Sequence, residues 1–98
     1  MVQINWTFQS KDDLKNIAEY IAKDSKKYAR LQVMRIRQRT KILTSQIYSG
    51  KIVTEMDKTN IRELIQGNYR IIYLIVNEER IDILTVHHSA RNLNRRKI

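Results

Sequence analysis

The sequence predicts an α+β fold: an N-terminal strand, then an antiparallel helical hairpin packed on one face of an antiparallel β-sheet. Three observations predict it. Apolar residues recur at helical spacing from Leu14 to Ile47, and from Ile61 onward β-branched and aromatic residues take over in strand-like runs. Gly67-Asn68 and Asn77-Glu78-Glu79 break those runs as turns. At 98 residues the chain fits one domain with one modest core, spanning residues 1–98.

Val2 to Thr7 alternates, with Val2, Ile4 and Trp6 on one side, as a half-buried strand does. Ser10, followed three residues later by Asp13, reads as the cap of a first helix. That helix carries one apolar stripe of Leu14, Ile17, Ala18, Ile21 and Ala22. Asp24-Ser25 ends it and opens the next, so the pair forms a tight hairpin. The second helix is expected to be long, because Ala29, Val33, Ile36, Thr40, Leu43 and Ile47 form one continuous seam. Ser49-Gly50 is its expected stop, with glycine in the left-handed position.

Residues 51–60 read as a polar connection. Ile61–Gln66, Tyr69–Val76 and Arg80–His87 then form an antiparallel meander, and the first strand is expected to join the same sheet. Tyr69–Val76 is apolar on both faces, so both faces of the sheet need cover. The hairpin covers one. The other is expected to stay partly open for a partner, unless the charged C-terminal tail folds over it.

The chain carries a net charge of +9, unevenly spread. Between Ser25 and Val53 there are eight Lys or Arg and no acid, and the last eight residues add four more. A stripe of this kind suits a polyanionic partner, whether nucleic acid or acidic polypeptide; the plain alternative is a solvated helix face. The absence of cysteine excludes disulfides and thiolate metal sites. No apolar run approaches the ~20 residues of a membrane span and no signal peptide is visible, so a cytoplasmic location is expected. No cofactor or metal is expected, since no acid or cysteine spacing completes a site around the two histidines.

The order of short motifs carries a resemblance. Trp6, Asp13-Leu14 with Ile17 and Tyr20-Ile21, Gly50-Lys51, Ile61-Arg62-Glu63-Leu64, Tyr69-Arg70-Ile71-Ile72-Tyr73 and His88-Ser89-Ala90-Arg91 follow one another at family spacing. Together they resemble the ParE/RelE superfamily of type II toxins, most closely its ParE-like plasmid-stabilisation branch. The resemblance implies a small basic toxin neutralised by a cognate antitoxin, in a hetero-oligomer where the acidic C-terminal segment of the antitoxin wraps the helices and sheet. On this chain that segment is expected to meet Arg30, Arg37 and Lys41 on the second helix and Ile72 and Leu74 on the sheet. ParE-like members poison DNA gyrase, whereas RelE-like members cut messenger RNA in the ribosome.

The stretch HHSAR bears on that choice. RNA cleavage by the 2′-hydroxyl needs a base, an acid and cations for the phosphorane-like transition state. Arg70 and Arg91 are candidate clamps, and His87, His88, Glu55 or Lys51 candidate proton carriers. Neighbouring strand residues point to opposite faces, however, so His87 and His88 cannot serve one site without a break in the strand there. The C-terminal tyrosine of many RelE-like nucleases is also missing after Arg91. The sequence therefore favours a structural role, with His88 and Arg91 pinning the sheet end to Glu63 or Asp82. The expected function is a gyrase-poisoning toxin that is not an enzyme; the alternative is a ribosome-dependent endoribonuclease. A plain nucleic-acid-binding module would explain the charge but not the doubly apolar sheet.

Overall fold

The computed structural model describes residues 1–89. Strand β1 (Gln3–Trp6) leads through Thr7 into α1 (Phe8–Ala22), and α2 (Lys26–Arg39) follows after three residues. A 3-10 turn over Thr40–Thr44 then leads to β2 (Lys51–Ile52), β3 (Ile61–Gln66), β4 (Tyr69–Asn77) and β5 (Arg80–His88). The five strands lie in the order β1-β5-β4-β3-β2. All neighbours are antiparallel except β1, which runs parallel to β5 with Gln3 opposite Arg80 and Trp6 opposite Ile83. The expected meander is present, with β3 as expected and β4 and β5 each one residue longer than the sequence suggests.

Gly67 is the first central residue of the β3–β4 turn and has φ 57°, while Asn68 is not left-handed. Glycine in that position is the II′ pattern, whose twist matches the flanking strands. Leu64, Ile71, Tyr73, Ile75, Ile81 and Ile83 form one core with Leu14, Ile36 and Leu43 from the helical layer. On the opposite face Val53, Ile61 and Ile72 form a second cluster, joined by Met56, Leu74 and Leu84. The connection between β2 and β3, which reads as merely polar in the sequence, thus supplies cover for the second face. The C-terminal tail, the other candidate for that cover, lies beyond the described residues.

Three local expectations are corrected. Thr7, not Ser10, caps α1: its Oγ1 accepts the Ser10 N–H at 3.2 Å, and the Ser10 hydroxyl donates back to the Thr7 carbonyl at 2.8 Å. Asp13 therefore has another role. Its carboxylate accepts the Val86 N–H at 3.0 Å and the Thr85 hydroxyl. The β4–β5 register shifts here, with Ile72 opposite Thr85 but Tyr73 opposite Ile83, leaving Leu84 as the extra residue of a bulge. Strand β1 has ended by this point, so the first turns of α1 take over as the partner of β5. Thr7 completes the joint by donating to the Ile83 carbonyl at 2.7 Å.

The second helix is shorter than its seam. Ile36, Thr40, Leu43 and Ile47 are all buried, yet the backbone tightens after Arg39. Thr40, Thr44 and Ser45 each donate a hydroxyl to the carbonyl three residues back, at 2.7, 2.8 and 3.4 Å. Such local bonds compete with regular helix.

Gly50 is not left-handed. It is needed for closeness instead. Its N–H donates to Tyr73 Oη at 3.0 Å, that hydroxyl donates to the Ile47 carbonyl at 2.8 Å, and a Cβ on residue 50 would lie 2.6 Å from the Glu63 carbonyl oxygen. Arg62 closes the same corner, stacking on Tyr48 and donating to the carbonyls of Gly50 and Thr59 at 2.9 and 3.1 Å.

Candidate functional site

The two histidines part company at the end of β5. His87 is opposite Arg70 in the β4–β5 pair and is buried. His88 is opposite Tyr69 and meets its ring edge-on, with centroids 5.4 Å apart. Successive strand residues face opposite sides of the sheet, so the two imidazoles cannot act on one phosphate. The acids expected to pin the sheet end have these partners: Glu63 bonds Arg70, and Asp82 bonds Arg80 and Asn5. Arg91 lies outside the described residues.

Arg70 is the centre of the polar cluster on the sheet face away from the helices. A guanidinium offers two forks of parallel N–H donors. The inner fork, Nε and one Nη, is taken by Glu63, with Nε at 2.9 Å. The outer fork is taken by Glu55 from the β2–β3 connection, at 2.8 and 3.0 Å. The hydrogen bonds from Arg70 hold the Glu55 carboxyl down to about 2, against a partial desolvation that works the other way. Glu55 in turn leads in raising the Arg70 guanidinium above its ordinary value. At neutral pH Glu55 is therefore a poor proton donor and a weak base, and Arg70 is fully committed. Lys51 is exposed on β2 opposite Glu63. Arg70, Glu55 and Glu63 form an ion cluster, not an acid–base pair around a vacant cation.

The second feature is on the helical side. Between α1 and α2 runs an open groove of about 810 Å³, floored by Ala18, Ala22, Ala29 and Val33. Lys26, Arg30 and Arg37 of α2 and Lys41 of the 3-10 turn that follows line it near whole-turn intervals, and all four are exposed. Small floor residues leave room for the side chains of another element, and the cations give its border one sign. Among the described residues no ion pair reaches the stretch from Ser25 to Val53. Two of its arginines are nonetheless occupied: Arg37 stacks on Trp6 at 5.2 Å, and Arg39 donates to the Ile65 carbonyl at 3.1 Å.

The expected partner-binding residues are thus split. Arg30, Arg37 and Lys41 border the groove, whereas Leu74 and Ile72 sit on the far face of the sheet. Ile72 has no exposed surface and is closed off by Val53 and Ile61, so only Leu74 of that pair is offered to a partner as the chain stands. Sequence reasoning missed Glu63 as the permanent partner of Arg70. The cross-strand pairing of β3 with β4 was its one available signal. No helix among the described residues is long and apolar enough to cross a membrane.

Comparisons with known proteins agree with the architecture. No curated protein matches the chain significantly. A solved structure described as the chromosomal ParDE TA system from P. aeruginosa superposes with a TM-score of 0.73. It is 21% identical and covers 90% of this chain and 96% of that one, a likeness of fold. The model of the family described as ParE toxin of type II toxin-antitoxin system, parDE, matches residues 4–93. With nearly the whole length matched, the chain belongs to the ParE toxin family of type II toxin–antitoxin systems.

Proposed function

We propose that this chain poisons DNA gyrase by binding to it, without cutting RNA, and that a cognate antitoxin neutralises it in the cytoplasm. The observation that carries the non-enzymatic reading is the double occupation of Arg70. Both forks of the best-placed cation are closed by carboxylates of the same chain. Neither a developing phosphorane charge nor a proton relay has a prepared place beside it. The opposed histidines support the same conclusion. Gyrase as the target follows from the ParE family rather than from any contact in the chain.

The groove between α1 and α2 supports antitoxin binding. Its apolar floor suits the apolar side of an amphipathic segment, and its row of cations suits carboxylates spaced one helical turn apart. Leu74 and Leu84 on the far face are the half-buried margin of the second cluster, available to a segment that continues around the sheet.

The test is inducible expression of the chain, with genome-wide transcript mapping and a gyrase supercoiling assay run in parallel on the purified protein. Inhibited supercoiling with intact transcripts is the expected result. Transcripts cut at ribosome-bound codons, with gyrase unaffected, would overturn the proposal in favour of a RelE-like endoribonuclease.

A further inference from the structure

The four cations along the groove between the helices are symmetric about its middle. Lys26, Arg30, Arg37 and Lys41 follow one another at steps of four, seven and four residues, with Val33 and Met34 between the two pairs. A row with those steps reads the same from either end. It attracts a segment with two pairs of carboxylates around an apolar centre, but it does not decide which way that segment runs.

Glu19 breaks the symmetry. It is exposed on α1, on the wall opposite the cations, and among the described residues it is the one acid that lines the groove. The helices form a hairpin joined by Lys23, Asp24 and Ser25, so Glu19 lies near the level of Ala29 and Arg30, in the half of the groove nearest that connection. Among the described residues no ion pair joins it to Arg30 across the alanine floor, nor to Lys15 or Lys23, its helical neighbours four positions away. Lys23 instead holds its ammonium 5.8 Å from the centroid of the Tyr20 ring. The carboxylate is therefore open to whatever enters the groove. A segment acidic on both flanks would meet it as a like charge, losing on the α1 wall part of what it gains on the α2 side.

We propose that Glu19 is a specificity-determining residue for the antitoxin. It pairs with a Lys or Arg on the α1-facing flank of a segment whose α2-facing flank is acidic, and this rests on the antitoxin lying in the groove, as proposed above. The pair sets the direction of the segment, because only one of the two orientations brings that cation to the connection end. It also rejects antitoxins of equal acidity that lack the cation, since selectivity comes from a mismatch as much as from a match. Whether gyrase is the target does not enter.

The experiment compares the full chain with Glu19→Gln, Glu19→Lys and Arg30→Glu/Lys41→Glu, each first checked for a cooperative thermal transition. Purified full-length cognate antitoxin is the probe, and association and dissociation rates are measured. The sign of one effect separates specific pairing from general attraction. Glu19→Lys makes the toxin more basic, so steering alone would tighten its hold on an acidic partner. Opposite a cation, the same change places two like charges together, and the antitoxin should dissociate at least about tenfold faster. Glu19→Gln should shift dissociation the same way by less. Each Lys and Arg of the antitoxin is then reversed to Glu in turn. One of these reversals should restore binding to Glu19→Lys while weakening binding to the unaltered chain. Unchanged or tighter binding of Glu19→Lys, or a loss that no single reversal repairs, would overturn the proposal. Arg30→Glu/Lys41→Glu reports on the groove itself. If it binds like the unaltered chain, the antitoxin lies elsewhere and both readings fall; if it associates slowly while Glu19→Lys is indifferent, the Glu19 pairing falls alone.

Discussion

The amide of Gly50 donates to the hydroxyl of Tyr73 across 23 positions of sequence, at 3.0 Å, inside the buried corner where the helical layer meets the sheet. Tyr73 passes the interaction on to the Ile47 carbonyl, so one phenol satisfies two backbone groups that no strand or helix reaches. Burial raises the Tyr73 pKa, with the Gly50 bond and the Arg62 charge opposing it, and the phenol stays protonated as that donor role requires.

Two variants test this corner. Tyr73→Phe leaves the Gly50 N–H and the Ile47 carbonyl without partners, at a cost of about 1–3 kcal/mol. Gly50→Ala forces a methyl within 2.6 Å of the Glu63 carbonyl oxygen. Neither the strand backbone nor the packed Tyr73 ring can yield easily, so overpacking should cost about 1–3 kcal/mol or more. Urea unfolding of both variants measures the losses; a neutral Gly50→Ala would show that the corner relaxes.

Asp13 is the next prediction. Asp13→Ala strands the Val86 N–H at the bulge and removes the acceptor of Thr85, and should cost about 2–4 kcal/mol. Asp13→Asn keeps an acceptor oxygen in place and should cost clearly less. Amide hydrogen exchange adds a local readout, since Val86 should lose protection in the alanine variant ahead of the centre of β4.

How much of this was legible in the sequence follows from the range of each interaction. The three meander strands are legible to within a residue because the period changes at Ile61 and Gly67-Asn68 fixes the turn, both local signals, whereas β2 (Lys51–Ile52), inside the stretch read as a polar connection, is too short to show a period. The hairpin was legible from Asp24-Ser25, and Ser25 does cap α2 by accepting the Tyr28 N–H. The direction of β1 was not, since alternation of Val2, Ile4 and Trp6 is the same in a parallel or antiparallel neighbour. Asp13 looked like a helix-cap residue because its true partners lie 72 and 73 positions away. Arg70 looked like a vacant catalytic clamp for the same reason: its outer partner depends on the path of a connection with no periodicity to read. Motifs that announce a family, from Gly50 through Arg62 and Tyr73, turn out here to be parts of one structural corner.

The Glu55–Arg70 pair also predicts a pH dependence. Glu55 has its folded pKa depressed to about 2 from an ordinary 4.5. Its contribution to stability is therefore complete above about 4.5 and is lost as pH falls from there toward 2. Partial solvation of the pair limits that contribution to about 1 kcal/mol. Thermal midpoints of the unaltered chain and Glu55→Gln should thus differ at pH 6 and converge as the pH approaches ~2. A constant difference across that range would show that Glu55 acts through packing alone.

The groove predicts a kinetic signature. Lys26, Arg30 and Lys41 should steer an acidic partner, so reversing Arg30 and Lys41 to Glu should slow association with the purified antitoxin far more than it speeds dissociation. Arg37 belongs in a separate variant, because its stacking on Trp6 makes its replacement a stability change as well. Association rates indifferent to both reversals and to salt would remove the steering role.

The histidines decide the mechanism. His88→Ala loses the edge contact with Tyr69, worth about 0.5–1.5 kcal/mol, and should barely alter toxicity. His87→Ala empties a buried position and should lower the melting temperature more. In both, any loss of growth arrest should track loss of the folded state. A general acid or base behaves otherwise, since its removal costs ~10²–10⁴ in rate with the fold intact. Thermal midpoints, growth arrest, transcript cleavage and DNA-damage signalling are therefore scored together on each variant. DNA-damage signalling with intact transcripts is expected throughout, fading only as the variants unfold. A stably folded His87→Ala chain that no longer arrests growth, beside an unaltered chain that cuts messenger RNA, would make this strand end an active site after all.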